Sequence, residues 1–210
     1  VAPTLPPLYP IVNARDTGAP AVRRAEELAI ALAAAGAEIL QLRAKTFEAG
    51  PFTALASRLV DALGRHGCRL IVNDRADVAA AAGAAGVHLG DSDLPVSAAR
   101  RLLGPDALIG FSTHAVEEVT SPNAQAADYL GFGPVFESPT KPGVRTPRGI
   151  EALEAVCRTT TLPVVAIGGI TLDEAPAVWS AGAAAAAVIS EIERSDSPRD
   201  LVLAYRAAYR

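Results

Sequence analysis

Eight short runs of strand-forming residues, each followed by a helical pattern, constrain this chain more than any other feature. The runs fall at residues 8–13, 38–43, 69–74, 87–90, 108–112, 129–133, 163–168 and 186–190. Between them, apolar residues recur at three- and four-residue steps, as in Val22, Ala25, Leu28, Ala29 and Leu32, and in Phe52, Leu55, Leu59 and Leu63. Shorter helical patterns occupy residues 76–82, 96–103, 115–124 and 149–158. Thr171 with Glu174 forms a capping-box signal for a helix ending near Gly182, and residues 199–209 close the chain. An eightfold βα alternation within 210 residues predicts a closed parallel barrel, a compact (β/α)8 TIM barrel, over an open doubly wound sheet. The eighth run is the weakest, because residues 183–187 are all alanine and only Val188 and Ile189 favour a strand.

The composition suits that fold. Half of the residues are hydrophobic but only 5% are aromatic, so Ala, Val, Ile and Leu must build the core, as in buried parallel strands under alanine-rich helices. No composition break divides the chain, which reads as one domain over residues 1–210, with a proline-rich, irregular lead-in at residues 1–7. A formal net charge of −4 argues against nucleic acid or an anionic membrane as partner. Cys68 and Cys157 are far apart and read as small buried hydrophobes. With no secretory signal and no bilayer-length apolar run, the cytoplasm is the expected compartment.

In such barrels function gathers at the C-terminal ends of the strands, and there the polar residues collect. The second strand ends QLRAK, with Gln41, Arg43 and Lys45 on one side and Leu40 and Leu42 on the other. The third ends in Asn73 and Asp74, the fourth runs through His88 into GDSD with Asp93, and the fifth ends in Ser112, followed by His114. The sixth opens into GFGPVFESPTK, where glycines allow close approach to an anion and Ser138, Thr140 and Lys141 supply hydroxyls and a cation. The seventh and eighth end in Gly168–Gly169 and Ile189–Ser190, which match the phosphate cradle such barrels often build. Asp74 and Asp93 are hard oxygen ligands that, with water and substrate oxygens, suit Mg2+. The alternatives are that Asp74 pairs with Arg75 or caps the next helix, and that Asp93 caps the helix after Pro95. With Arg43, Lys45 and Lys141 around them, the carboxylates suit a departing pyrophosphate. No nucleophile with an adjacent base is evident, and two anion sites imply two phosphorylated substrates.

The motifs QLRAK, VNDRADVA, GVHLGDSD, GFSTHA, GFGPVFESPTK, VVAIGGIT and VISEI occur in the order and spacing of thiamine phosphate synthases, which the chain resembles over almost its whole length. The resemblance implies a Mg2+-assisted transferase that joins hydroxymethylpyrimidine diphosphate to hydroxyethylthiazole phosphate, releasing pyrophosphate. By that resemblance Gln41, Arg43, Lys45 and Asn73 contact the pyrimidine diphosphate, and Asp74 and Asp93 hold magnesium. Ser112 and His88 line the pyrimidine pocket, and Lys141 binds the leaving pyrophosphate. Ser138, Thr140, Gly169, Ile189 and Ser190 form the thiazole phosphate site. Arg43, Lys45, Ser112 and Lys141 are the implied catalytic set. Tyr9 reads equally as pocket or core, His66 as a surface residue and His114 as the start of a helix.

Two alternatives stand beside the synthase. Glu137 and Ser138 replace a common Pro-Thr, and the FES segment is similar to the thiazole tautomerase branch of the same family, where a carboxylate or histidine moves a proton. Against that branch, Pro134 stands where the best-known tautomerases carry their histidine, and Asp93 is retained. A non-catalytic phosphate-binding barrel would bind without turnover. The expected partners are the phosphorylated small molecules, with a homo-oligomer left open.

Overall fold

The computed structural model describes residues 3–137 and 146–209. Eight parallel strands close into a barrel in sequence order: β1 (Leu8–Asn13), β2 (Ile39–Arg43), β3 (Arg69–Asn73), β4 (Gly86–Leu89), β5 (Leu108–Thr113), β6 (Tyr129–Phe132), β7 (Val164–Ile167) and β8 (Ala185–Val188). Outside them lie α1 (Ala19–Ala34), α2 (Ala49–Gly64), α3 (Ala76–Ala82), α4 (Val96–Leu103), α5 (Pro122–Ala126), α6 (Gly149–Thr159), α7 (Ala175–Ser180), α8 (Ser190–Arg194) and α9 (Pro198–Ala208). This is the expected (β/α)8 TIM barrel. Among the described residues no helix is long and apolar enough to cross a membrane.

Strand alternation sorts the side chains into two cores. Leu40, Leu42, Val72, Val87, Ile109, Phe111, Leu130 and Phe132 point outward and meet the buried helix stripes, such as Phe52, Leu55, Leu59 and Leu63 of α2. Tyr9, Ile11, Ile39, Ile71, Leu108, Tyr129, Val165, Ala185 and Ala187 fill the barrel interior. Closure comes from β8 on β1, with Tyr9 opposite Ala187. The helix-favouring alanines of β8 form a strand because all four of its residues are buried and its two neighbours, β7 and β1, supply hydrogen-bonding edges. Their small size also leaves interior room for Tyr9.

Local chemistry sets several boundaries. Gly83 ends α3 in the left-handed region at φ 68°, its N–H donating to Ala79 and Ala80 carbonyls. The Ser197 hydroxyl caps α9, with Pro198 in the first turn. The helix expected over residues 115–124 divides into a 3-10 turn (Val116–Thr120) and α5, because Ser121 precedes Pro122 and is extended at ψ 151°. At α7, Glu174 accepts both the Thr171 N–H (2.9 Å) and its hydroxyl (3.0 Å), so the threonine hydroxyl donates to the carboxylate. The eighth strand stops at Val188, and Ser190 opens α8. Cys68 is buried and Cys157 half-buried; both are unbridged thiols, which burial pushes up to about 12 and about 11.

Candidate active site

The C-terminal rim of the barrel gathers the residues that the sequence placed at strand ends. Gln41 lies inside the barrel on β2 and donates from Nε2 to the Tyr9 hydroxyl at 3.3 Å. Two residues on, Arg43 donates to Asn13 Oδ1 at 3.1 Å, and burial lowers its guanidinium against the counteracting Asp74 charge. Lys45 lies on the loop beyond, its Nζ 3.2 Å from Asp74 Oδ2. Alternation on β2 therefore puts Gln41 and Arg43 on the same inward side, the first deep in the barrel and the second at its rim, and the loop beyond adds Lys45.

Asp74 follows β3 with φ 65°, a left-handed conformation that Asp tolerates better than most residues, and its N–H donates to the His88 carbonyl at 2.8 Å. Arg75 is engaged elsewhere, with Asp77 at 2.6 Å, and the first N–H of α4, on Val96, donates to Asn123 Oδ1 at 3.1 Å and not to Asp93. Asp93 turns back instead, accepting the Gly90 N–H at 2.7 Å. Its carboxyl meets that of Asp74. Burial pushes the Asp93 carboxyl above its ordinary value, Gly90 opposes this, and the neighbouring Asp74 charge adds to the rise. Two carboxylates forced together beside cations fit a hard divalent ion that takes its remaining ligands from water and substrate. Among the described residues no third acidic, histidine or cysteine ligand joins them.

On the adjoining strands, His88 Nε2 is 2.9 Å from Ser112 Oγ, and His88 Nδ1 is 3.1 Å from the Tyr129 hydroxyl. Burial lowers the imidazole from 6.5 to about 4, with Asp74 counteracting. Glycine makes the space. A Cβ at Gly110 would sit 2.1 Å from Tyr129 Cζ and 2.4 Å from His88 Nδ1, and one at Gly131 would sit 2.9 Å from His88 Cε1. His114 precedes its 3-10 turn and donates Nδ1–H to the Gly133 carbonyl at 2.7 Å, fixing the start of the β6 loop.

Across the rim, the loops after β6 and β7 are bonded together. Val135 and Phe136 donate to the carbonyls of Ile167 and Gly168, at 2.9 Å each. Gly169, at φ 66°, passes so close that a Cβ would lie 2.2 Å from the Glu137 carbonyl oxygen. Gly168, Gly169, Ile189, Ser190 and Arg194 then line a cleft of about 280 Å³, with the exposed Glu137 on its edge. Asn73 is buried at the end of β3. Ser138, Thr140 and Lys141 lie outside the described residues.

A sequence profile described as Thiamine monophosphate synthase matches residues 8–192. The chain belongs to that family. It is 48% identical to the thiamine-phosphate synthase of Anaeromyxobacter dehalogenans over 83% of this chain and 78% of that one. A synthase of Roseiflexus is 38% identical over 95% and 84% of the two chains. Among solved structures, a thiamine phosphate pyrophosphorylase from Pyrococcus furiosus superposes with a TM-score of 0.83 at 30% identity, covering 96% of this chain and 94% of that one. The chain is thus an enzyme of the transferase class.

Within this family frame, the rim also holds residues that the sequence motifs do not single out. Asn13, at the end of β1, bridges Arg43 to Glu193 of α8, donating to Glu193 Oε1 at 2.9 Å; Arg15 reaches the other oxygen at 2.7 Å. The strand-end rule that finds Asn73 applies equally to Asn13, whereas no sequence pattern pairs it with a residue 180 positions away. In the sequence Tyr129 is one residue of a strand, yet its hydroxyl joins Tyr9 to His88.

Proposed function

We propose that this enzyme joins hydroxymethylpyrimidine diphosphate and hydroxyethylthiazole phosphate to give thiamine phosphate and pyrophosphate. The contact between Asp74 and Asp93 beside Lys45 and Arg43 carries this reading. A carboxylate pair alone would repel a diphosphate. A Mg2+ ion held by the pair would neutralise charge building on the leaving group and reverse the sign of the site. Arg43, Lys45 and Lys141 would hold the diphosphate oxygens, with Gln41 and Asn73 fixing the pyrimidine end. Ser112, oriented by His88, would contact the pyrimidine ring. The glycine-lined cleft at Gly169, Ile189 and Ser190 would take the thiazole phosphate, with Ser138 and Thr140 as further ligands by family resemblance.

The bond to break joins the pyrimidine methylene carbon to its diphosphate oxygen, and the electron pair leaves with pyrophosphate. The thiazole nitrogen then donates its lone pair to that carbon, and no proton need be removed. This chemistry needs placement and charge neutralisation rather than a nucleophile, which agrees with a rim rich in cations and hydroxyls. Both substrates incubated with the protein, with and without Mg2+, should yield thiamine phosphate and pyrophosphate in equal amounts only when the metal is present. Isomerisation of a carboxythiazole phosphate in place of coupling would transfer the chemistry to Glu137, and binding of both ligands without turnover would make the protein a non-catalytic barrel.

A further inference from the structure

The barrel interior holds a chain of polar side chains that crosses five strands. Gln41 Nε2 lies 3.3 Å from the Tyr9 hydroxyl, which is 2.7 Å from the Tyr129 hydroxyl. Tyr129 reaches His88 Nδ1 at 3.1 Å, and His88 Nε2 reaches Ser112 Oγ at 2.9 Å. Tyr9 is 1% exposed, Tyr129 0% and Gln41 3%, so the inner links are closed to water. Among the described residues no buried side-chain nitrogen or oxygen lacks a partner.

Counting donors fixes the direction of every link. An amide nitrogen only donates, so Tyr9 accepts from Gln41. If Tyr129 also donated to Tyr9, the Tyr9 hydrogen would face two donors and no acceptor. A buried donor left in that state is destabilising by roughly 1–3 kcal/mol. Tyr9 therefore donates to Tyr129. The same count at Tyr129 sends its hydrogen to His88 Nδ1. That nitrogen must be bare, which excludes both the Nδ1–H tautomer and the imidazolium. The imidazole hydrogen sits on Nε2 and is donated to Ser112 Oγ, leaving the serine hydrogen unused inside the chain.

We infer that Tyr129 is the positioning residue that holds His88 as its Nε2–H tautomer, making Ser112 a hydrogen-bond donor to the ligand. The group facing Ser112 must then present a lone pair, as an unprotonated ring nitrogen does. That the ring is the pyrimidine rests on the function proposed above; the polarity of the relay does not. Space for the relay is reserved by Gly110 and Gly131, where any Cβ would collide with His88, and at Gly110 with Tyr129 as well.

The test is long-range 1H–15N NMR of the ligand-free protein at pH 7.5, with the His88 ring signals identified by their loss in His88→Gln. The wild type should show the Nε2–H pattern alone. Tyr129→Phe removes the one donor that the described residues bring to Nδ1 and should populate the Nδ1–H form. Tyr9→Phe should not, because Tyr129 still needs Nδ1 as its acceptor. In steady-state kinetics, Tyr129→Phe should lower kcat/KM for the pyrimidine substrate about tenfold, equivalent to about 1.4 kcal/mol, and leave KM for the thiazole substrate unchanged. A wild-type Nδ1–H or doubly protonated ring would overturn the inference, as would a pure Nε2–H pattern in Tyr129→Phe. The NMR result does not depend on turnover. An inactive protein with the expected tautomer would thus remove the functional reading and leave the relay standing.

Discussion

Replacing Gly110 by alanine separates a glycine kept for space from one kept for backbone freedom. Gly110 has no positive φ, and alanine in a strand is otherwise favoured over glycine by roughly 0.5–1 kcal/mol. Its Cβ, however, would lie 2.1 Å from Tyr129 Cζ, 2.5 Å from Tyr129 Cε2 and 2.4 Å from His88 Nδ1. These atoms belong to rings packed inside a closed barrel, not to flexible side-chain ends. Overpacking of this kind costs about 1–3 kcal/mol. Separating Tyr129 from His88 leaves a buried hydroxyl hydrogen without its acceptor, adding about 1–3 kcal/mol. The expected loss is about 1–5.5 kcal/mol after the glycine offset, or a fall of roughly 2–22 °C in Tm at 2–4 °C per kcal/mol. Gly83→Ala is the matched control: its φ is 68° but nothing lies within 4 Å of the added carbon. Only the left-handed penalty remains there, about 1–2 kcal/mol. Urea titration of both variants measures the difference. If Gly110→Ala is no less stable than Gly83→Ala, the claim that interior glycines reserve room for the tyrosine–histidine pair is refuted.

Two further outcomes follow from the same geometry. On the proposed function, Asp93→Asn should abolish Mg2+-dependent turnover yet leave the metal-free protein at least as stable as wild type, since asparagine can still accept the Gly90 N–H and no longer repels Asp74; a lower Tm in EDTA would contradict that account. His88, held near 4 in the fold against 6.5 when unfolded, stays neutral while the unfolded chain takes up a proton. Its contribution is complete above pH 6.5 and falls by about 1.4 kcal/mol per unit down to about pH 4, so urea midpoints of His88→Gln should decline less steeply over that window; parallel curves would rule the histidine out as the cause.

Most strand positions are legible in the sequence because a strand buried on both faces must read as an apolar run, and the polar residue ending it marks the rim. That is why Asn73, Asp74 and Ser112 fall where the runs place them, and why Gln41 and Arg43 separate from Leu40 and Leu42. The eighth strand is legible only through the count of βα units, since its alanines favour a helix until β1 and β7 flank it. The break at Pro122 carries a local signal, the residue before a proline, which the apolar periodicity of residues 115–124 conceals. Interior hydrogen bonds carry no such signal. Tyr9 and Tyr129 are 120 residues apart, and their meeting depends on barrel closure and on the glycines that make room. Asn13 and Glu193 meet for the same reason, one ending the first strand and the other on the helix after the last.

The Lys45–Asp74 pair shows how a rim with both charges can serve an anionic ligand on a protein of net charge −4. The Lys45 side chain is 55% exposed, so in this geometry the pair contributes at most about 1 kcal/mol and is readily exchanged. On the proposed function, a divalent cation held by Asp74 and Asp93 would leave the Lys45 ammonium free to bind the diphosphate from the rim. Arg43 cannot make that exchange, because Asn13 and, through it, Glu193 hold its guanidinium in place. On that reading the two cations would act differently on the same ligand. Arg43 would present a fixed charge to the diphosphate, whereas Lys45, paired with Asp74 in this geometry, would be the exchangeable one.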